Sequence, residues 1–364
     1  VNILRRLPLS RLLLLCGVIA VAGISVTAIA SAVGSSPTPP AKPLAQAVHD
    51  ALGAPSVEGV SANIKLTNHL LEGANLAGSG QGGELASSPL INGGSGRLWI
   101  SKEGKIRLEL QAEKGDTQVI SDGNSVTIYD AASNTLYRYT PPASTATGMK
   151  STHKDSAVHQ PATVAQIEEE IKKISAHANL SGAQPTDVAG HAAYTVRVSP
   201  KETGSLIGGA ELSFDAANGA PLRAAIYSST SPAPVIELAA TEVEYGPVSS
   251  SVFTLTPPAN AKVVEIVPPT AATAKHPAST TGQEKPQVTT YGKGLSTVAV
   301  VKSKASKGSA GGLESLPKVS IGSSTASELK TALGTILTFE RSGVRYVIAG
   351  SVPAASIEAI ARGL

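Results

Sequence analysis

Between Gly96 and Tyr139 short apolar-polar runs alternate with turn residues, and this regularity constrains the fold more than any other feature of the chain. The runs are GRLWIS, KIRLELQAE, TQVIS, SVTIYD and TLYRY, separated by KEGK, KGD, DGN and AASN. Each run has strand length and each break contains Gly, Asp or Asn, so the segment predicts an antiparallel meander of five strands. Ile106, Leu108 and Leu110 project to one face, while Arg107, Glu109 and Gln111 project to the other. One face is therefore apolar and needs a cover.

A candidate cover follows. In ATVAQIEEEIKKISAHA, Val164, Ile167, Ile171 and Ile174 recur at helical spacing, and Thr163 stands where an N-cap is needed. Glu168–Lys172 and Glu169–Lys173 are i,i+4 pairs in the favourable orientation. The expectation is an amphipathic helix lying on the open face of the meander. A short helix over Ala45–Leu52, alternation at Val60, Ala62, Ile64 and Leu66, and a glycine-rich loop from Gly73 to Gly96 precede the meander. Further strands are expected in AAYTVRVSP, in AELSFDAANGAPLRAAIYSS with its turn at Asn218-Gly219, and in VIELAATEVEYG. After a Pro/Thr/Ala linker, LSTVAVVKS, KVSIG, GTILTFER and VRYVIAG read as strands, with a basic glycine-containing loop from Lys302 to Pro317. Pro353 opens a final helix carrying Ile357, Ile360 and Leu364.

Leu12 to Ala32 carries no charge and follows Arg5, Arg6 and Arg11. A basic flank, an apolar run and the small triplet Ala30-Ser31-Ala32 read as an export signal. The run exceeds the roughly 7–15 residues of an ordinary signal core, and is long enough to span a bilayer. Cleavage after Ala32 and retention as an anchor both satisfy it; the length of the run and the Pro/Ser-rich segment behind it favour retention. Cys16 lies inside the apolar core and follows Leu15, which argues against lipid attachment. Leu7-Pro8-Leu9 after Arg5-Arg6 is a poor twin-arginine match. With residues 1–32 set aside no cysteine remains, so stability must come from packing. Residues 33–261 contain 15 basic and 21 acidic groups, and residues 262–364 contain 12 and 6. That asymmetry indicates two modules with different surfaces, neither basic nor aromatic enough for nucleic-acid binding.

Motifs that would carry chemistry fail on context. None of the seven histidines stands in a metal-ligand spacing. Residues 78–83 match GxGxxG in a glycine-rich stretch with no βαβ unit behind it. Ser151-Thr152-His153-Lys154 matches SxxK without a KTG partner, and no GxSxG occurs. Asn179-Leu180-Ser181 fits a glycosylation acceptor. No catalytic residue, metal site or cofactor is expected, and the chain is not expected to be an enzyme.

Strand order and turn residues in GRLWISKEGKIRLEL, DGNSVTIYDAASNTLYRY, GAELSFDAANGAPLRAAIY and VEYGPVSSSVFTLTPPANAKVVEI give the chain a resemblance to LolA-type lipoprotein carriers. That superfamily also includes LolB-, LppX- and RseB-like proteins. The last segment, GTILTFERSGVRYVIAGSVPAASIEAIARGL, resembles a small bacterial domain of unknown function. The resemblance implies a mainly β fold with α elements: a curved antiparallel half-barrel covered by helices, plus a small α+β C-terminal domain. The expected layout is a signal or anchor at 1–32, a tether at 33–43, the half-barrel at 44–267, a linker at 268–287 and the small domain at 288–364.

It further implies an extracytoplasmic protein that binds lipid or lipoprotein acyl chains and works at a membrane; an RseB-like sensor that engages a membrane-bound regulator is the alternative. Candidate lining residues for the apolar cavity are Trp99, Ile106, Leu108, Leu110, Val126, Ile128, Ile167 and Ile171. Carriers of this kind use an inward arginine to control opening, for which Arg97, Arg107 and Arg138 are the candidates. A filled core between sheet and helix satisfies the same periodicity as an open cavity.

Overall fold

The structure, a computed structural model, describes residues 37–72, 74, 88–113, 115–140, 162–266, 287–305, 316–322 and 324–364. The apolar leader, the GxGxxG and SxxK matches, and most of the linker and of the basic loop lie outside these residues. The chain forms two compact units. The first comprises residues 1–69, 87–201 and 208–266, and the second residues 70–86, 202–207 and 267–364.

The first unit is built on one curved, open sheet of thirteen strands. Helix α1 (Leu44–Gly53) precedes β1 (Gly59–Asn68), and a single helical turn α2 (Pro89–Asn92) leads into the meander. The meander is β2 (Gly94–Ser101), β3 (Ile106–Ala112), β4 (Gly115–Ser121), β5 (Val126–Asp130) and β6 (Thr135–Tyr139). Helix α3 (Val164–Ser175), β7 (Ala178–Leu180), β8 (Gln184–Val188) and β9 (His191–Pro200) follow. The unit ends with β10 (Ile207–Asp215), β11 (Pro221–Ser228), β12 (Pro234–Tyr245) and β13 (Lys262–Ile266). Spatial order is β13-β6-β5-β4-β3-β2-β1-β12-β11-β10-β9-β7, with β8 also on β9. β13 runs parallel to β6, whereas the meander strands pair antiparallel.

Register explains the core. Ala62, Leu98, Leu108, Val119 and Ile128 lie directly opposite one another from β1 to β5. In an antiparallel sheet such opposed residues share a face, and here they enter one apolar cluster with Val60, Ile64, Leu66, Leu110, Leu238, Ala240 and Val243. A bulge at β1–β12 leaves Thr241 as an extra residue, so that Ala240 and Val243 both reach this cluster though three residues apart. The five meander strands fall where the turns placed them, but β2 starts at Gly94, inside the stretch read as loop. Its glycines have a packing reason: a Cβ at Gly96 would lie 1.7 Å from the Glu109 carbonyl oxygen.

Helix α3 forms as expected, with the Thr163 hydroxyl accepting from Gln166 N–H and the Gln166 side chain accepting from Thr163 N–H. Its position differs from the expectation. It packs on α1 and β7, because β7 begins two residues after the helix ends and pairs with β9 at the far end of the sheet from β3. There α1 covers the sheet through Ala47, Leu44 and Ala51 against Tyr194, Phe214 and Val196. Ala193 belongs to the main cluster and Tyr194 to this second one, so β9 is buried on both faces at these two positions. The segment ahead of α1 is also held: Tyr194 OH donates to Pro40 C=O at 2.7 Å, and Lys42 pairs with Asp50 at 2.6 Å.

The second unit contains a six-stranded sheet in the order β14-β15-β19-β18-β17-β16. Its strands are β14 (Gln287–Tyr291), β15 (Val298–Lys304), β16 (Lys318–Ile321), β17 (Ser324–Lys330), β18 (Thr335–Arg341) and β19 (Val344–Gly350). Helix α4 (Ala354–Arg362) closes one face, with Ile357 and Ala361 packed on Val300, Leu337 and Ile348. β14 and β17 were not legible: STASELK has only Thr325 as a strand-favouring residue and owes its conformation to pairing with β16 and β18. Among the described residues no helix is long and apolar enough to cross a membrane.

Replacing Gly96 by Ala forces β2 away from β3. The expected cost is about 3 kcal/mol, read as a lowered midpoint of chemical unfolding.

Candidate functional site

The apolar face of the meander is the feature on which the expected lining residues can be placed. Ile106, Leu108, Leu110, Val126 and Ile128 all belong to its cluster. Burial grades along the row that crosses the strands: Leu98 is 0% exposed, Leu108 3% and Val119 6%. Ile128 on β5 and its neighbour Tyr137 on β6 are only half-buried. A parallel row, Ile100, Ile106, Ser121 and Val126, is half-buried throughout and ends at Tyr139. The single turn α2 covers part of the face through Leu90 and makes its contacts with β1, β3 and β4. Near it, the Ser88 and Thr117 hydroxyls lie 3.4 Å apart.

The other three expected residues stand elsewhere. Trp99 is opposite Ser61 and Arg107, on the reverse face of the sheet, while Leu98 takes the apolar side. Arg97 lies over the indole at 5.0 Å and Arg107 at 6.0 Å, cation–π contacts at a half-exposed position. Ile167 and Ile171 lie on α3, whose partners are α1 and β7. The gating candidates also fall on the reverse face. Arg97 pairs in register with Glu109, and Arg107 bonds Glu109, Gln118 and the carbonyls of Val252 and Thr254. Arg138 makes an exposed bridge to Glu265 at 2.9 Å.

A charged cluster spanning β9 to β12 went unread in the sequence. Arg223 donates to Glu237 at 2.8 Å, Glu211 at 2.6 Å and Tyr227 at 3.0 Å. Arg197 adds a 3.0 Å bond to Glu211 and stacks over the Tyr227 ring at 4.1 Å. Burial alone would raise the Glu211 carboxyl, but hydrogen bonds from Tyr227, Arg223 and Arg197 outweigh it and hold the group below its ordinary range. Burial acts against the Arg223 charge, yet Glu211 and Tyr227 more than offset it and raise the guanidinium pKa. Tyr227 is pushed up by burial and by Glu211. The signal for this cluster was register: Arg197 and Glu211 are opposed across β9 and β10, which no single strand reveals.

A smaller group joins His191 and Asp215. His191 Nδ1 lies 3.1 Å from Asp215 Oδ2, which also accepts from Tyr245 OH at 2.7 Å. Burial, then the Asp215 carboxylate, raise the Tyr245 phenol above its ordinary value. Asp215 Oδ1 caps the β10–β11 turn through Ala217 N–H at 2.7 Å and Asn218 N–H at 3.3 Å. The four bonds make Asp215 a turn anchor. Among the described residues no group of three or more His, Cys, Asp or Glu is placed to hold a metal.

Residues 86–201 match a family described as "Predicted periplasmic protein (DUF2092)", in agreement with the export read from the leader. No curated protein matches the chain. Among solved structures the chain is similar to MucB in its complex with MucA from Pseudomonas aeruginosa, at 14% identity, 87% of this chain, 94% of that chain and a TM-score of 0.39. A LolA superfamily protein from Nitrosomonas europaea matches at 8% identity over 85% of this chain and 91% of that one, with a TM-score of 0.20. An uncharacterized conserved protein from Thermus thermophilus matches at 12% identity over 61% and 97%, with a TM-score of 0.34.

Because the Glu211 carboxyl is held below its ordinary value in the folded state, its contribution is complete above that ordinary value and disappears as pH falls through the depressed one. Glu211→Gln is expected to cost about 2 kcal/mol at neutral pH. Thermal melts at pH 7 and pH 3 should show the gap between wild type and variant narrowing in acid.

Proposed function

We propose that this protein is an extracytoplasmic binding protein that holds a lipid or lipoprotein acyl chain on the apolar face of the meander. The observation that carries the reading is the burial gradient: the face is sealed at Leu98 and Leu108 and thinly covered at Val126, Ile128, Tyr137 and Tyr139. An acyl chain laid along that margin gains about 0.8 kcal/mol per buried methylene, so a handful of methylenes drives uptake without any catalytic step. Polar groups on the same face are few and satisfied: Asp130 is capped by the Ser133 hydroxyl and Ala132 N–H, and Thr135 by the Ser133 carbonyl. In this reading Ile106, Leu108, Leu110, Val126 and Ile128 line the site, and the leader is retained as the membrane anchor.

A second reading, an envelope sensor that engages a membrane-bound regulator, is favoured by the charge of residues 262–364, where 12 basic groups face 6 acidic ones. Such a surface suits an acidic partner segment. Recovery of one membrane regulator by pull-down, lost at high salt, is the outcome expected of it.

Native mass spectrometry of the delipidated protein with added fatty acid tests the first reading. Bound ligand is expected in wild type and about a tenfold weaker occupancy in Ile128→Glu, whose carboxylate would have to be desolvated beside the acyl chain. The variant should still melt cooperatively, since Ile128 is only half-buried. Wild-type protein that takes up no fatty acid would defeat the reading.

A further inference from the structure

We infer that the β9 end of the first unit, with α1 and α3, is held against the lipid surface, so that the thinly covered meander margin points away from the anchoring membrane. This rests on the retained leader proposed above. The apolar run ends at Ala32, and Pro40 is already fixed to the fold by the Tyr194 hydroxyl at 2.7 Å. Residues 33–40 are the whole connection, and at most about 3.6 Å per residue lets them span no more than about 29 Å. The segment read as a free tether is therefore short, and its second half is docked: Pro40 accepts from Tyr194 and Lys42 pairs with Asp50. Tyr194 itself is 2% exposed and packs on Ala47 and Phe214, so the pin is rigid.

The surface at that end carries both charges. Lys172 and Lys173 occupy the last turn of α3, and Lys201 reaches the Ser175 carbonyl beside them, gathering three cations at one helix end. Glu170 pairs with Lys173, and Glu168 and Glu169 lie on the earlier turns of the same helix. Leu52 at the end of α1 is 59% exposed, on the side where His49 meets the start of α3. β9 and β6 stand nine positions apart in the sheet. At about 4.8 Å per strand, that separates them by up to about 43 Å along the sheet. An acyl chain bound near Ile128 would then come from, or pass to, a partner on the side remote from the anchoring bilayer.

The test uses the full chain, Cys16→Ser, reconstituted in phosphatidylglycerol–phosphatidylethanolamine vesicles with an acceptor dye on the headgroups. A donor is placed at Leu52→Cys or at Ala132→Cys on the β5–β6 turn. Energy transfer should be about twofold or more greater from position 52, given the separation of the two ends. Adding Tyr194→Phe, which keeps the ring but removes the hydroxyl, should narrow the difference. Equal or reversed transfer with residues 1–32 present by intact mass overturns the orientation alone. Transfer that Tyr194→Phe leaves unchanged overturns the pin at Pro40. An intact mass lacking residues 1–32 in protein recovered from its native membrane overturns the anchored reading and this inference with it.

Discussion

Side-chain alternation, locked by strand register, is the constraint from which the rest of the first unit follows. Leu98 opposite Leu108, and Leu108 opposite Val119, commits every even-numbered residue of β2 and β3 to the core. A one-residue slip between β2 and β3 would bring Arg107 and Glu109 into that core. The glycines of β2 and the turns of the meander guard against it. Asp122 Oδ1 accepts from both Asn124 and Ser125 N–H, holding the β4–β5 turn, and burial of the carboxyl is outweighed by those bonds, which keep it ionised to unusually low pH.

The same alternation decided what was legible. Five meander strands, the capped helix α3 and the final helix could be read because each has a local period and a punctuating residue. The sequence places Trp99 on the apolar face, wrongly, because GRLWIS offers Leu98 and Trp99 as rivals and only the pairing of Leu98 with Leu108 settles the choice. The helix α3 was recognisable as amphipathic, but an apolar stripe does not name its partner. Its place was set by a two-residue connection to β7 and by its packing on α1. Strand β13 was hidden because KVVEI gains its role only by lying parallel to β6, a long-range pairing with no turn to announce it.

Polar chemistry followed a different logic from the one that a motif search addresses. Histidine spacing, SxxK and GxGxxG are local patterns, whereas the charges that the fold brings together come from four strands. Arg223 is 16% exposed in its side chain and Glu237 6%, so these ions are substantially removed from water. Such a pair adds little net stability over well-packed apolar residues. Its role in this sheet is specificity: Arg197, Glu211, Arg223 and Glu237 satisfy one another only when β9 to β12 are in their native register.

The two ends of the sheet are therefore built for different tasks. At β9 Ala193 and Tyr194 are buried on opposite faces, the tyrosine holds the chain ahead of α1, and a charged cluster fixes register across four strands. At β5 and β6 the apolar row loses cover, and the last strand, β13, leaves Val263 54% and Ile266 43% exposed. Local opening is easiest where few apolar contacts must be broken, so the margin at Ile128 and Tyr137 can part from its cover without disturbing the β9 end. A face that is firmly assembled at one side and weakly sealed at the other can open at that margin while the rest of the sheet stays folded.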